Sequence, residues 1–581
     1  MNRSLGRKLA AVSLLLVVPL ALRIVPIRHG FPRNYVPDTH MVRQALAMAR
    51  DHDLAPRAGT YSFYPNLLPY LLVPCYAAEY AVGRVDGSWN DAKGFGDRLL
   101  DHPEDAAIVA RILVALFGAL TPLVVLGTAR AAGLTRGAWV AAWLSATALL
   151  AVQLSTHERP WVPMTFFMLL AAWAAARYAR NGRGSSLALS GVAAGLAAAC
   201  HQGGLLALAI PALAWLLGPL EWRRRDLGVR LRQGVACVAL FLAVALALGY
   251  PHLVRYGLAA AKVAGGEQEV AAQGGMHIGG LSIVFDVRWQ SVVRLAKSIV
   301  GYDPVVVVLG LGGLFLGLAR REMRPLLVFA LAWAAFFMTN RSDHVRYLLP
   351  VVMLLCLPAG LLAEELLERR WGMVLLGGLL LFPLVQSMRL ATLLARPDTR
   401  EDAEVRLAAL APGSVVAIDR YGPDVELDRQ SLARLERLRV SLGDGLRVRE
   451  QRRKRRFEEG SVPRGEEGID AVRIEEVFEI GDRSGTVDVR RGLEALGATP
   501  KDVFTTLGVT HFLLVDRRPG GDPPNALHAL ASPGRAVFVV DPASGRGPPP
   551  EAFLPTEMDF PLTGLWQVAQ PGPWMALYEL R

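Results

Sequence analysis

The chain has 581 residues, of which 52% are hydrophobic and 20% charged, and a formal net charge of +11. That is more apolar sequence than one soluble core uses, because cores stop growing at roughly 250–300 residues. A single soluble domain is therefore excluded. The basic balance does not point to nucleic acid either, since most arginines fall between apolar blocks, where they set membrane topology.

In chain order, Arg3, Arg7 and Lys8 precede the apolar run Leu9–Val25. This run is longer than the core of a signal peptide and no small-residue cleavage site follows it, so it is expected to be a first span entering from the cytoplasm. A spanning helix needs about 20 apolar residues, roughly 17–25 in practice. Further expected spans are Ala106–Thr128, Ala138–Leu154, Trp161–Ala176, Leu187–Ala199, Leu205–Leu220, Val235–Gly249, Pro304–Leu318, Pro325–Met338, Leu348–Leu362 and Trp371–Val385.

One more apolar stretch, Tyr64–Val82, is decided by charge. If it does not cross, the arginine clusters at Arg130, Arg177, Arg223, Arg320 and Arg369 all fall on the cytoplasmic side. If it crosses, all of them fall on the wrong side. It also carries Pro65, Pro69, Pro74 and Glu79, which suit a helix lying in the interface.

The expected fold class is mainly α. It is a polytopic transmembrane helix bundle of about eleven spans with interfacial helices in residues 1–390, then a soluble α/β domain in residues 391–581. The loops 27–105, 155–160, 250–303 and 339–347, the turn at His201 and everything after Arg389 share the outer face. In a bacterial inner membrane that face is the periplasm, where nucleotide-activated donors are absent. The glycine pairs in loop 250–303 suggest a mobile segment able to fold over a substrate.

Past Arg389 the pattern becomes that of a small α/β layer. Strands are expected at Ser414–Asp419, His511–Val515, Ala536–Val540 and Trp574–Leu580, and helices at 399–410, Arg429–Leu438 and Val489–Leu496. The basic run Arg452, Arg453, Lys454, Arg455, Arg456 reads as a solvated loop or as a headgroup or nucleic-acid patch. The four cysteines, Cys75, Cys200, Cys237 and Cys356, lie in apolar segments with no metal spacing and are expected to be small buried hydrophobes.

Candidate chemistry sits in the outer loops. Asp38, just after Pro37, is either an N-cap or a catalytic carboxylate. Glu158, in THERPWVP between two apolar spans, is either functional or locally paired with Arg159 or His157. The loop NRSDHVRY brings Arg341, His344, Arg346 and Tyr347 to the edge of a span, where a guanidinium either snorkels or meets a lipid phosphate. His201 either faces the same cavity or caps a helix.

The chain resembles the C-type (GT-C) integral membrane glycosyltransferases, among them the protein O-mannosyltransferases and the lipid A aminoarabinose transferases. The resemblance is carried by YVPDTHMVRQALAMA, FYPNLLPYLL, RILVALFGALTPLVVLGTAR, STHERPWVPMTFFMLLAAWAAARY, HVRYLLPVVMLLCLPAGLL and the closing QPGPWMALYEL. Many members have glutamate where Thr39 stands and aspartate where Glu158 stands.

The resemblance implies transfer of a sugar from a polyprenyl-phosphate-linked donor to a glycan, lipid or protein acceptor, with inversion. It implies Asp38 and Glu158 as catalytic carboxylates, and Arg159, His201, His344, Arg346 and Tyr347 around the lipid phosphate or sugar. It implies no metal and no cofactor beyond the lipid-linked co-substrate. Two other classes stay open on the residues alone: a transporter or flippase of a lipid-linked substrate, and a non-catalytic scaffold of an envelope-polysaccharide system.

Overall fold

The computed structural model describes residues 3–33, 40–56, 64–218, 227–257, 276–278, 281–283, 288–340, 344–480, 486–516, 527, 529, 535–543 and 561–580. The protein is mainly helical, with a small mixed sheet near the C-terminus. It is a multi-pass membrane protein. Helices occupy every one of the expected span positions.

Their lengths differ from a uniform set of full spans. Among the described residues, five stretches are long and apolar enough to cross by themselves: Pro103–Ala131, Trp161–Asn181, Leu227–Gly249, Val345–Leu366 and Arg370–Ala408. A sixth forms if Trp289–Tyr302 and Pro304–Ala319, bent by 107°, count as one. Leu9–Ile24, Gly184–Cys200, Gln202–Leu217 and Arg324–Thr339 are shorter apolar helices.

The expected span 138–154 is broken at Ala148, whose ψ of 120° leaves the helical region between Gly137–Thr147 and Leu149–Leu154. The break frees backbone groups that must find partners, since no water is available to them in an apolar interior. Buried Asp303 accepts from the amides of Leu149 (2.7 Å) and Leu150 (3.3 Å). The Ser387 hydroxyl donates to the Thr147 carbonyl at 2.8 Å. The turn carrying Glu158 follows directly from this short second helix.

Close packing brings the helices together where glycines face each other. A Cβ on Gly137 would lie 2.0 Å from the Gly360 carbonyl oxygen, and one on Gly360 would lie 2.5 Å from that of Gly137. Only hydrogen fits at this crossing, as in small-residue contacts between membrane helices.

Leu67–Asp86 is one continuous helix through Pro74 and is not among the stretches apolar enough to cross. Arg33, before this helix, donates to Glu426 at 2.7 Å; Arg452 donates to Asp101, after it, at 2.9 Å. The chain thus meets the same C-terminal domain both at Arg33 and again at Asp101, on either side of this helix in sequence.

In that domain the sheet runs 471–473, 416–418, 511–516, 574–579, 536–540. The first three strands are parallel and the last two join antiparallel. Parallel neighbours need long crossovers, and the helices Arg429–Ser441 and Val448–Glu458 fill the one between 416–418 and 471–473. The four expected strands and the first two helices fall where the hydropathy pattern put them, and 471–473 is an added strand.

Three expectations are corrected. Val489–Leu496 is not a helix: Val487–Val489 pairs with Phe478–Ile480, and Gly492, at φ +98°, turns the chain into the short 3-10 turn Glu494–Leu496. The basic run is not a solvated loop but part of the helix Val448–Glu458, whose cations meet carboxylates. Arg449 reaches Asp424 at 3.0 Å, Arg453 reaches Glu426 at 3.1 Å, and Lys454 pairs with Glu436. Cys75 is exposed, whereas Cys200, Cys237 and Cys356 are buried. The glycine pairs of loop 250–303 lie outside the described residues.

The C-terminal region does not leave the membrane region altogether. The helix Pro561–Gln567 packs back onto it, placing Leu565 and, just beyond the helix, Val568 in the same apolar core as the spans. Trp566 Nε1 donates to Gln386 at 2.9 Å.

Candidate active site

The turn 155–160 is buried throughout, although it is polar. Such burial requires partners, and the main one comes from a distant part of the sequence. Arg111, on Pro103–Ala131 and fully buried, donates from Nε to Glu158 Oε2 at 2.7 Å. Its Nη1 donates to the carbonyls of Ile27 (3.0 Å) and His29 (2.6 Å), and its Cζ lies 4.0 Å from the centre of the Phe31 ring.

One guanidinium thus fixes a carboxylate and the turn that follows the first helix. Charge-assisted contacts of this kind hold geometry better than neutral ones. Glu158 has a partner from another helix, beyond the local pairing with Arg159 or His157 weighed from the sequence. Arg111 itself was missed. Its signal was readable: an ionisable residue inside an apolar span is rare and marks a site or a pair.

A second group gathers on Trp161, three positions after Glu158. The His201 ring centre is 4.1 Å from that of Trp161, and Tyr347 meets Trp161 edge-on at 4.7 Å. Arg346 Cζ lies 5.9 Å from the Trp161 ring centre and 5.7 Å from that of Tyr347, within cation–π range. Tyr64 lies 5.4 Å from His201, and His40 5.9 Å from Tyr64. Trp161 Nε1 is buried with no hydrogen-bond partner among the described residues.

Each member is held from behind. Tyr347 stacks on Phe337 at 4.7 Å with 8° between the rings, and its carbonyl accepts from Trp333 Nε1 at 2.7 Å. His201 caps a helix, one of the two roles the sequence left open. Its Nδ1 accepts from the Gly203 amide at 2.9 Å, starting the 3-10 helix Gln202–Leu208, while its ring packs on Trp161. Burial, with the charge of Arg346 nearby, pushes its imidazole down to about 3, so it is neutral at physiological pH.

Of the residues singled out in sequence, the structure brings His201, Arg346 and Tyr347 together on Trp161, while Glu158 and Arg159 are buried in the turn just before it. His344 is more peripheral, exposed and 6.0 Å from Tyr347. Asp38, Thr39 and Arg341 lie outside the described residues. Trp161, Tyr64 and His40 complete the group and were not singled out. Lone aromatics in apolar runs give no sequence signal of that role.

Residues 101–250, which hold Arg111, Glu158, Trp161 and His201, match the family model described as dolichyl-phosphate-mannose-protein mannosyltransferase. The family resemblance of the sequence is borne out. No curated protein matches the chain at a significant level.

Among solved structures, the apo oligosaccharyltransferase of Archaeoglobus fulgidus is similar at 14% identity and TM-score 0.43, over 71% of this chain and 62% of that one. ArnT from Cupriavidus metallidurans bound to undecaprenyl phosphate is similar at 18% identity and TM-score 0.42, over 70% and 66%. The Pmt1-Pmt2 protein O-mannosyltransferase complex of Saccharomyces cerevisiae bound to its sugar donor is similar at 19% identity and TM-score 0.31, over 44% and 35%. The match thus spans less than two thirds of each of these three chains.

Proposed function

We propose that the protein is a GT-C membrane glycosyltransferase that moves a sugar from a polyprenyl-phosphate-linked donor to a glycan, lipid or protein acceptor on the outer face. The observation that carries this reading is convergence. Within the family-matched segment a buried carboxylate–guanidinium pair lies one turn from a cluster in which Trp161, Tyr347, His201 and Arg346 meet from three separate stretches. An aromatic face beside a cation suits a sugar ring joined to a phosphate.

In this reading the acceptor hydroxyl oxygen attacks the anomeric carbon from the face opposite the phosphate, and configuration inverts. The C–O bond to phosphate breaks and the lipid phosphate leaves with the electron pair. The hydroxyl proton passes to a carboxylate, assigned to Asp38, with Glu158 as the second acid of the site. Arg346 stabilises the negative charge that grows on the departing phosphate.

The proposed orientation has about eleven crossings, with the N-terminus cytoplasmic and the C-terminal domain periplasmic in a bacterial inner membrane. It is supported by the contacts of Arg33 and Asp101 with that domain, which fit a helix Leu67–Asp86 lying along the interface.

A transporter reading gains one observation, the broken helix at Ala148 and the 107° bend at Asp303, because transporters often build their sites on broken helices. Here, however, Asp303 satisfies the amides the break exposes. The test of both readings is the protein in lipid nanodiscs with a polyprenyl-phosphate-linked sugar and an acceptor. Sugar transfer that disappears in Asp38→Asn, at unchanged protein level, is expected. Counterflow of the lipid-linked substrate without transfer would replace the enzyme by a transporter.

A further inference from the structure

The turn after the first helix is gripped from two sides. It is a tight segment, with His29 N donating to the Pro26 carbonyl at 2.9 Å and Phe31 N to that of Arg28 at 3.1 Å. From the membrane region Arg111 holds its Ile27 and His29 carbonyls while also binding Glu158. At its other end Arg33 reaches the C-terminal domain. It binds both carboxylate oxygens of Glu404, with Nε at 3.2 Å from Oε2, and Glu426 at 2.7 Å.

These two glutamates are not on loose supports. Glu404 lies on Thr399–Ala408, a helix with a capping box at Asp398, whose carboxylate takes Arg400 at 2.7 and 2.8 Å. Thr399 ties that helix to the sheet, its amide donating to the Pro571 carbonyl and its hydroxyl to the Pro573 carbonyl, each at 2.8 Å. Glu426 is shared with Arg449 and Arg453 of the basic helix. The turn's anchor is thus the rigid body of the domain.

We propose that the C-terminal domain braces the active site: Glu404 and Glu426 are positioning residues that act through Arg33 and the turn 27–33 on the Arg111–Glu158 pair. The proposal rests on Glu158 belonging to the transfer site. It gives the domain a task in the reaction that needs no ligand of its own. A paired guanidinium fixes direction as well as distance, and errors of about 1 Å at a reacting site cost up to roughly a hundredfold in rate.

The test is the isosteric double variant Glu404→Gln/Glu426→Gln of the full chain in nanodiscs. Its kcat should fall by about tenfold or more, with the donor KM within about twofold. Amide exchange should rise in 27–33 and also in 155–161. Wild-type kcat should fall as salt is raised from about 50 to about 500 mM, and that dependence should be lost in the variant, which a general loss of stability would not produce. Arg33→Lys should retain part of the rate that Arg33→Gln loses.

Unchanged kcat, or faster exchange confined to 27–33, would overturn the brace. If wild type transfers no sugar, the functional reading fails separately. Exchange then decides: a rise at both segments supports the coupling, and a rise at neither or only the first removes it.

Discussion

The two charged regions of this protein obey different rules. The Arg111–Glu158 pair has no exposed side-chain surface on either partner, whereas Arg452 and Asp101, which join the C-terminal domain to the helix Ala92–Asp101, are 24% and 36% exposed. Water and salt screen the second pair, and a contact of that kind contributes about 0–1 kcal/mol. The first is worth little as a pair but is costly to break, because the surviving charge stays buried. A buried, costly-to-break pair thus lies beside the residues proposed to do chemistry, whereas this contact of the domain junction is a screened one.

The largest effect should come from breaking the buried pair on one side. Arg111→Leu leaves Glu158 buried without its guanidinium and releases the turn at Ile27 and His29. A loss of about 3–5 kcal/mol in stability is expected in thermal or denaturant unfolding of the nanodisc-embedded protein, together with loss of transfer. Adding Glu158→Gln to Arg111→Leu should recover part of that stability but no activity. If Arg111→Leu is as stable as wild type, the pair is not the constraint described here.

An intermediate effect belongs to His29, at the junction of the two regions. Burial lowers its imidazole to about 4, opposed by the charge of Asp398 and assisted by those of Arg111 and Arg400. The unfolded chain, with the ordinary value of 6.5, takes up the proton first as pH falls. The stabilising contribution is therefore complete above that pH and is lost progressively down to about 4. Between pH 6.5 and 5 the loss should reach about 2 kcal/mol, seen as a lower unfolding midpoint, and His29→Gln should flatten the dependence. The smallest effect is that of Arg452→Ala, a shift below about 1 kcal/mol that shrinks further at high salt. A larger one would mean the junction depends on single contacts after all.

How much was readable in the sequence divides along the same line. Elements set by local pattern were legible: apolar blocks became helices at the expected span positions, and the four strands expected after Arg389 are in place, joined in the sheet by Ala471–Arg473, which the pattern did not mark. Arginine placement kept Tyr64–Val82 out of the expected spans, and the helix found there, Leu67–Asp86, is not among the stretches apolar enough to cross.

What escaped was mostly long-range. Arg111 and Glu158 are 47 residues apart, and nothing near either one names the other. The basic helix Val448–Glu458 looked like a loop because its partners, Asp424, Glu426 and Asp101, lie elsewhere in the chain. Val489–Leu496 failed for a local reason, the left-handed Gly492, which a helical pattern of leucines does not reveal. In the site, Glu158, His201, Arg346 and Tyr347 were found as ionisable or aromatic residues in outer loops, but their common hub, Trp161, was indistinguishable from any tryptophan at the start of a span.

The most direct measurement is the release of free polyprenyl phosphate by the purified protein in nanodiscs, followed together with the anomeric configuration of the product. The account predicts release coupled one-to-one to an inverted glycosidic product in wild type. Little of either should remain in Glu158→Gln, with the fold retained. Release and transfer at the wild-type rate in that variant, or a product of retained configuration, would contradict it.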